Sequence, residues 1–173
     1  MNISQDLNST ESLVLENGLR VLVIHKPEVD TCCVSVSCKA GHFFDPEDCP
    51  GLAHLLEHML FMGNDLTPDP NGINDLIEQA GGSINAWTGT EFANYHFQAH
   101  AQALPRLLPA FAAMLGAPHF KQERIASEIQ SIDAEYQYKR KDDLRRLYQI
   151  HKETANPAHP FAKFSVGNEL IFN

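Results

Sequence analysis

Two apolar runs that alternate with polar residues open the chain. They form the stretch "ESLVLENGLRVLVIH" and are joined by Asn17-Gly18, two residues that tolerate the positive φ of a tight hairpin turn. A third run, "TCCVSVSCKA", places small apolar residues on one side of a strand and polar residues on the other, because strand side chains alternate between faces. The pattern predicts a hairpin followed by a third strand.

Later apolar positions recur with helical spacing. Residues 51–62 are predicted to form a helix closed by Gly63, and residues 73–80 a second one that stops at Gly81-Gly82. "SINAWTGTEFANYHFQAH" predicts two strands around a turn, and the apolar spacing that begins at Leu104 predicts another helix. We expect one long helix at about residues 122–151, because its acidic residues come early and its basic residues late, as the helix dipole favours. Strands and helices mix without regular βαβ alternation, so the predicted class is α+β with a largely antiparallel sheet.

The bulk composition fits a single globular domain, because 173 residues with 43% hydrophobic side chains can bury one core. A formal charge of −9 argues against nucleic acid or an acidic membrane as a partner. The opening "MNISQDLNSTES" lacks the features of a secretory signal. A cytoplasmic location is therefore expected, or a periplasmic one if the N-terminus was trimmed. The four cysteines lack paired spacing and are expected to be reduced.

One helical segment, "GLAHLLEHMLFMG", carries an unusual polar stripe. His54, Glu57 and His58 fall at positions i, i+3 and i+4, while leucine and methionine cover the rest of the helix. Buried polar groups need partners, and a divalent metal supplies them. Two histidines one turn apart can each place a nitrogen on one Zn²⁺, and Glu57 can then take a proton from a water that the zinc makes acidic. This order, H-x-x-E-H, is the reverse of the common H-E-x-x-H motif.

A catalytic zinc needs a third protein ligand. Glu128 and Glu135 lie seven residues apart in the predicted long helix, on nearly one face, and that face also carries isoleucines. One carboxylate could bind the metal while the other orients a histidine. Periodicity does not choose between them, and a solvated helix edge is the alternative.

Four stretches in order resemble the N-terminal catalytic domain of the pitrilysin and insulysin family of inverzincin zinc metallopeptidases. They are "GLAHLLEHMLFMG", "GGSINAWTGTEFANYHF", "EIQSIDAEYQYKRKDDLRRLYQI" and "NPAHPFAKFSVGN", and the likeness spans residues 13–168. The resemblance implies zinc held by His54, His58 and Glu135, with Glu57 as the base and Glu128 orienting a histidine. It further implies a peptide substrate added as a strand to a sheet edge, with contacts from Asn85, Ala86, Trp87 and Phe61.

The family's larger members have four such domains in two halves, and the far half completes the site. The resemblance therefore implies that 173 residues form a C-terminally incomplete domain. Such a piece could bind zinc, or associate with copies of itself, and still lack activity without its missing partner domains.

Two other functional classes share features with this sequence. A thioether lyase of the S-ribosylhomocysteine type shares the motif and chain length, but its third ligand is a downstream cysteine, whereas here all four cysteines precede the motif. A non-catalytic relative would be expected to have lost motif residues, and none is lost. The remaining histidines are expected to be ordinary surface or loop residues: His25, His42, His96, His100, His119, His151 and His159.

Overall fold

The computed structural model describes residues 9–172, so most of the polar opening that underlies the predicted location lies outside the described residues. The strands are β1 (Ser9–Val14), β2 (Arg20–His25), β3 (Thr31–Cys38), β4 (Ser83–Thr88) and β5 (Ala93–His100). The helices are α1 (Leu52–Leu60), α2 (Gly72–Glu78), α3 (Leu104–Gly116), α4 (Gln122–Lys139), α5 (Asp143–Glu153) and α6 (Glu169–Phe172). In the described part of the chain, β1 pairs with β2 and a second sheet has the order β3-β5-β4, all antiparallel. The predicted α+β class is confirmed.

The first hairpin forms as predicted. Gly18 has a φ of +84°, which an L side chain rarely adopts. The loop is closed by hydrogen bonds from Leu15 N to the Leu19 carbonyl oxygen and from Gly18 N to the Leu15 carbonyl oxygen. In β3 the cysteines and valines of one face are half-buried, while Cys33, Ser35 and Ser37 are exposed. All four cysteines are free thiols. No helix in residues 9–172 combines the length and the hydropathy needed to cross a membrane.

The core has two parts. One face of the three-stranded sheet packs against α2 and α3 through buried residues such as Phe97, Phe111 and Ile77. The second part joins α1 to α4 and consists of Leu55, Met59, Ile129 and Ile132. This second cluster fixes the faces that α1 and α4 turn toward each other, which decides what their polar residues can meet.

The predicted single long helix is wrong. Residues 140–142 interrupt it, and α5 starts anew after Asp142, whose side chain accepts a hydrogen bond from Arg145 N at 2.8 Å. An aspartate that caps N–H groups stabilises a helix start and competes with a continuous helix. Lys139 and Arg140 therefore end α4, whereas Arg145 and Arg146 lie in the first half of α5.

His42 also departs from its predicted place at the surface. Its side chain lies in a short 3-10 turn, is 4% exposed, and donates from Nδ1 to the Gly89 carbonyl at 2.9 Å. Its Nε2 is buried and has no hydrogen-bond partner among the described residues. Burial lowers the pKa of His42, and the positive charge of Lys152 acts in the same direction. The hydrogen bond to Gly89 and the charge of Asp45 raise the pKa but do not outweigh these effects.

Candidate metal centre

The start of α1 is held by a buried carboxylate. Asp45 is 4% exposed and accepts from Gly51 N at 2.7 Å and from Ala53 N at 2.9 Å. These donors are among the N–H groups that a helix start leaves unpaired, and an anion there also favours the helix dipole. Gly51 has a φ of +98°, and a Cβ atom on it would lie 2.4 Å from Gly167 N. Only glycine allows this close approach, which sets the direction in which α1 leaves the loop.

The predicted polar stripes of α1 and α4 face each other. His54 Nε2 lies 3.4 Å from Glu135 Oε2, and His58 Nε2 lies 3.6 Å from the same oxygen. The two nitrogens and this oxygen all lie within 4.8 Å of one another. The side chains of His54, His58 and Glu135 are 12%, 25% and 32% exposed, so the group is only partly accessible to solvent. We call these three residues the donor cluster.

Each histidine is oriented through its other ring nitrogen. His54 Nδ1 lies 2.7 Å from the Val166 carbonyl oxygen, and His58 Nδ1 lies 3.0 Å from Glu128 Oε2. Both contacts require an N–H on Nδ1, so Nε2 of each neutral ring keeps its lone pair and points into the cluster. Glu128 is buried at 9% exposure. Carbonyl and carboxylate acceptors of this kind are the usual support for metal-binding histidines.

The charges of the cluster favour a cation. The pKa of Glu135 lies well below its usual range. Hydrogen bonds with His54 and His58 lower it most, and Lys139, which pairs with Oε1 of Glu135, lowers it further, although burial acts the other way. Burial lowers the pKa of His58, but hydrogen bonds and charges from Glu135 and Glu128 outweigh it, so the pKa is raised. An ionised Glu135 beside two imidazole nitrogens is a donor set that suits Zn²⁺.

Glu57 is not a member of the donor cluster and has a different hydrogen-bond partner. Its Oε2 accepts a short hydrogen bond, 2.5 Å, from the hydroxyl of Thr88 at the end of β4. The same hydroxyl lies 3.4 Å from the Ala53 carbonyl oxygen of α1. Thr88 therefore ties the strand to the helix and fixes one oxygen of Glu57, while Oε1 has no hydrogen bond within residues 9–172.

The residues predicted to contact substrate lie on two elements. Asn85, Ala86 and Trp87 belong to β4, which is an edge strand among the described strands. Asn85 Oδ1 accepts from Ala86 N at 2.9 Å, and the Trp87 side chain is 50% exposed instead of joining the core. Phe61 caps the end of α1 and packs partly against the main core. An exposed edge with a free aromatic ring suits strand addition.

Sequence reasoning missed three members of the site: Val166, Thr88 and Lys139. The Val166 contact uses a backbone carbonyl 112 residues from His54, which no side-chain pattern could signal. Thr88 lies within an ordinary strand pattern. Lys139 could have been found, because it sits four residues after Glu135 on one helix, the spacing of a common ion pair.

Comparison with known proteins decides the family. Residues 20–159 match the family described as Insulinase (Peptidase family M16). The chain belongs to this insulinase family. It is 38% identical over 169 residues to the insulin-degrading enzyme of Drosophila melanogaster, a match covering 98% of the chain and 17% of the relative. A Caenorhabditis elegans protein whose name includes the words zinc protease is 34% identical over 166 residues, covering 96% of the chain and 19% of that protein.

A solved structure gives the same result for the fold. The crystal structure of pitrilysin superposes with a TM-score of 0.91 at 30% identity, over 98% of this insulinase-family chain and 18% of the other. The predicted resemblance to this family is confirmed, and so is the predicted fold. The match counts against the thioether lyase alternative, as does a donor cluster without cysteine. The chain spans about a sixth of the length of the relatives it matches.

Proposed function

We propose that this chain is a zinc-binding catalytic domain that hydrolyses peptide bonds. The observation that carries the proposal is the convergence of His54 Nε2, His58 Nε2 and Glu135 Oε2 within 4.8 Å. The residues fit zinc because two nitrogens and one carboxylate oxygen are the donor set of many catalytic zinc sites, and because both histidines are fixed in the tautomer that frees Nε2. Insulinase-family membership and the zinc protease named among the relatives support the same metal.

When bound, Zn²⁺ supplies the Lewis acidity that lets water attack a peptide carbonyl at neutral pH. Glu57 takes up the proton that the attacking water loses. Because Thr88 occupies Oε2, the proton is received at Oε1 and is then delivered to the leaving amine as the C–N bond breaks. The products are a carboxylic acid and an amine, and Glu57 is again ionised.

The substrate is proposed to be an extended peptide that lies along β4. Asn85 and Ala86 would hold its backbone, and the exposed Trp87 with Phe61 would offer apolar contacts next to the cleaved bond. Since the relatives are about six times longer, further domains are proposed to complete the substrate site. The alternative is a chain that binds zinc but does not cleave peptide on its own.

Two measurements separate these readings. Zinc content of the purified chain is expected to be one ion, to be lost in His58→Ala and Glu135→Gln, and to persist in His25→Ala, an exposed histidine of β2. Glu57→Gln is expected to keep zinc and to abolish cleavage of a fluorogenic peptide. Zinc retained by Glu135→Gln would overturn the ligand assignment. Stoichiometric zinc in the wild type without cleavage would favour the alternative.

A further inference from the structure

A groove of about 800 Å³ runs beside the donor cluster. It lies between the end of α4, the helix α5 and residues 164–171. Its wall is shared with the cluster at two points. Lys139 lines the groove and pairs with Glu135, and Val166 lines it while its carbonyl orients His54. A molecule in the groove would therefore contact Lys139 and Val166, which pair with Glu135 and His54 of the donor cluster.

The groove concentrates positive charge in an acidic chain. Four basic side chains line it, against one acidic residue, Glu153, although the formal charge of the whole chain is −9. The four are Lys139, Arg140, Arg145 and Arg146. A concave surface of one sign focuses the electrostatic field and attracts the opposite charge.

Two of these charges are not compensated internally. Lys139 is paired with Glu135, and Arg146 Nη1 lies 3.2 Å from Asp143 Oδ1. No ion pair joins Arg140 or Arg145 to an acidic side chain within residues 9–172. The Arg140 guanidinium instead donates a hydrogen bond from Nη1 to Oε1 of the neutral Gln137 at 3.2 Å, and it lies 5.5 Å from the centre of the Tyr136 ring. Neither contact neutralises its charge.

The remaining lining suits the carbon chain of an acidic residue. Tyr136, Phe164 and Ile150 add apolar surface to the lining of the groove. Arginine forms paired hydrogen bonds with a carboxylate, which adds orientation to charge attraction. The combination fits aspartate, glutamate or a terminal carboxylate, and disfavours a basic side chain.

We propose that this basic groove binds a carboxylate of the peptide substrate near the bond to be cleaved, with Arg140 and Arg145 as specificity-determining residues. This inference rests on the proposed peptidase function and names its preferred substrate class, an acidic peptide. Glutamate side chains and the C-terminal carboxylate present the same chemistry, and the experiment distinguishes them.

The test measures peptide binding by isothermal titration calorimetry. The chain carries Glu57→Gln so that peptide is not consumed, and titrations are run with and without one equivalent of zinc. The probes are acetylated, amidated octapeptides of alanine with leucine and phenylalanine at the centre. One glutamate is placed at each remaining position in turn, and each peptide has a glutamine twin. A glutamine peptide with a free C-terminus forms the second arm.

We expect one glutamate position, or the free C-terminus, to bind about fivefold more tightly per arginine engaged than its neutral twin. The preference should shrink in Arg140→Gln and in Arg145→Gln and weaken at high salt. It should persist in Arg106→Gln, which makes the same charge change at an exposed position of α3.

Equal affinity for all charged and neutral twins would overturn the proposal, as would a preference that survives both arginine changes or the absence of binding by any peptide. Zinc binding is measured independently of the peptide titrations, so the two results can differ. Lost zinc binding with a retained carboxylate preference would reject the metallopeptidase assignment and leave the groove as an acidic-peptide site.

Discussion

Replacement of Glu128 by glutamine is expected to weaken zinc binding without removing a ligand. Glu128 is 9% exposed, and its Oε2 receives the His58 Nδ1 hydrogen bond at 3.0 Å. Glutamine keeps the size of the side chain but loses the charge that fixes the ring and raises its basicity. Losing such a supporting carboxylate typically costs about 10- to 100-fold in metal affinity, which corresponds to about 1.4 to 2.8 kcal/mol.

The assay is competition for zinc between the chain and a chromophoric chelator of known affinity at pH 7.5. Glu123→Gln is the matched control, because Glu123 is exposed on the first turn of the same helix. Thermal unfolding of the metal-free proteins checks that each variant is folded. Glu135→Gln provides the upper limit, since it would remove a proposed ligand outright.

Two results would refute this reasoning. Unchanged affinity in Glu128→Gln would mean that the buried hydrogen bond does not tune His58. A loss equal to that of Glu135→Gln would mean that Glu128 is itself a ligand, which would exchange the roles proposed for the two carboxylates.

The remaining predictions concern stability, measured as the free energy of unfolding in urea. The folded-state pKa of His42 is lowered, so the unfolded chain binds more protons and stability should fall as pH drops through about 6.5. The dependence of stability on pH should be weaker in His42→Gln. The same pH dependence in wild type and variant would contradict the lowered pKa of His42. Asp45→Asn should cost about 2 kcal/mol, because the amide cannot accept both buried N–H groups, whereas the exposed Asp48→Asn should change little; equal effects would exclude the capping role. Gly51→Ala should cost about 3 kcal/mol or more, because of backbone strain and overlap of the new Cβ atom with Gly167. Gly116→Ala has open space around it and should stabilise the protein by up to about 1 kcal/mol. A Gly51→Ala protein as stable as the wild type would contradict the close approach of Gly51 to Gly167.

Local order was largely determined by the sequence. The Asn17-Gly18 turn, the alternation in β3 and the apolar spacing of α1 each depend on neighbours a few residues away, and the structure agrees with all three. The polar stripe of α1 belongs to the same class, because helical geometry alone puts His54 and His58 one turn apart. The assignment of the chain to a single, C-terminally incomplete domain stays a prediction.

Local patterns misjudged the helix after residue 121. Charge order suggested one long helix, but Asp142 competes for the backbone N–H of Arg145 and starts a new one. Helix propensity alone does not choose between one long helix and two. In the structure, Tyr148 and His151 of α5 contact Phe161 in the turn at residues 160–162. The break matters for the site, because Arg140 at the end of α4 and Arg145 in α5 then line the same groove.

Only the tertiary structure decided which carboxylate meets which ring nitrogen. Seven-residue spacing left Glu128 and Glu135 equivalent, and the packing of Ile129 and Ile132 against α1 turns one toward Nδ1 and the other toward Nε2 of His58. The carbonyl that orients His54 and the hydroxyl that holds Glu57 come from residues far along the chain. A sequence specifies such contacts through the burial of apolar surface, and no local pattern encodes which polar atoms that burial brings together.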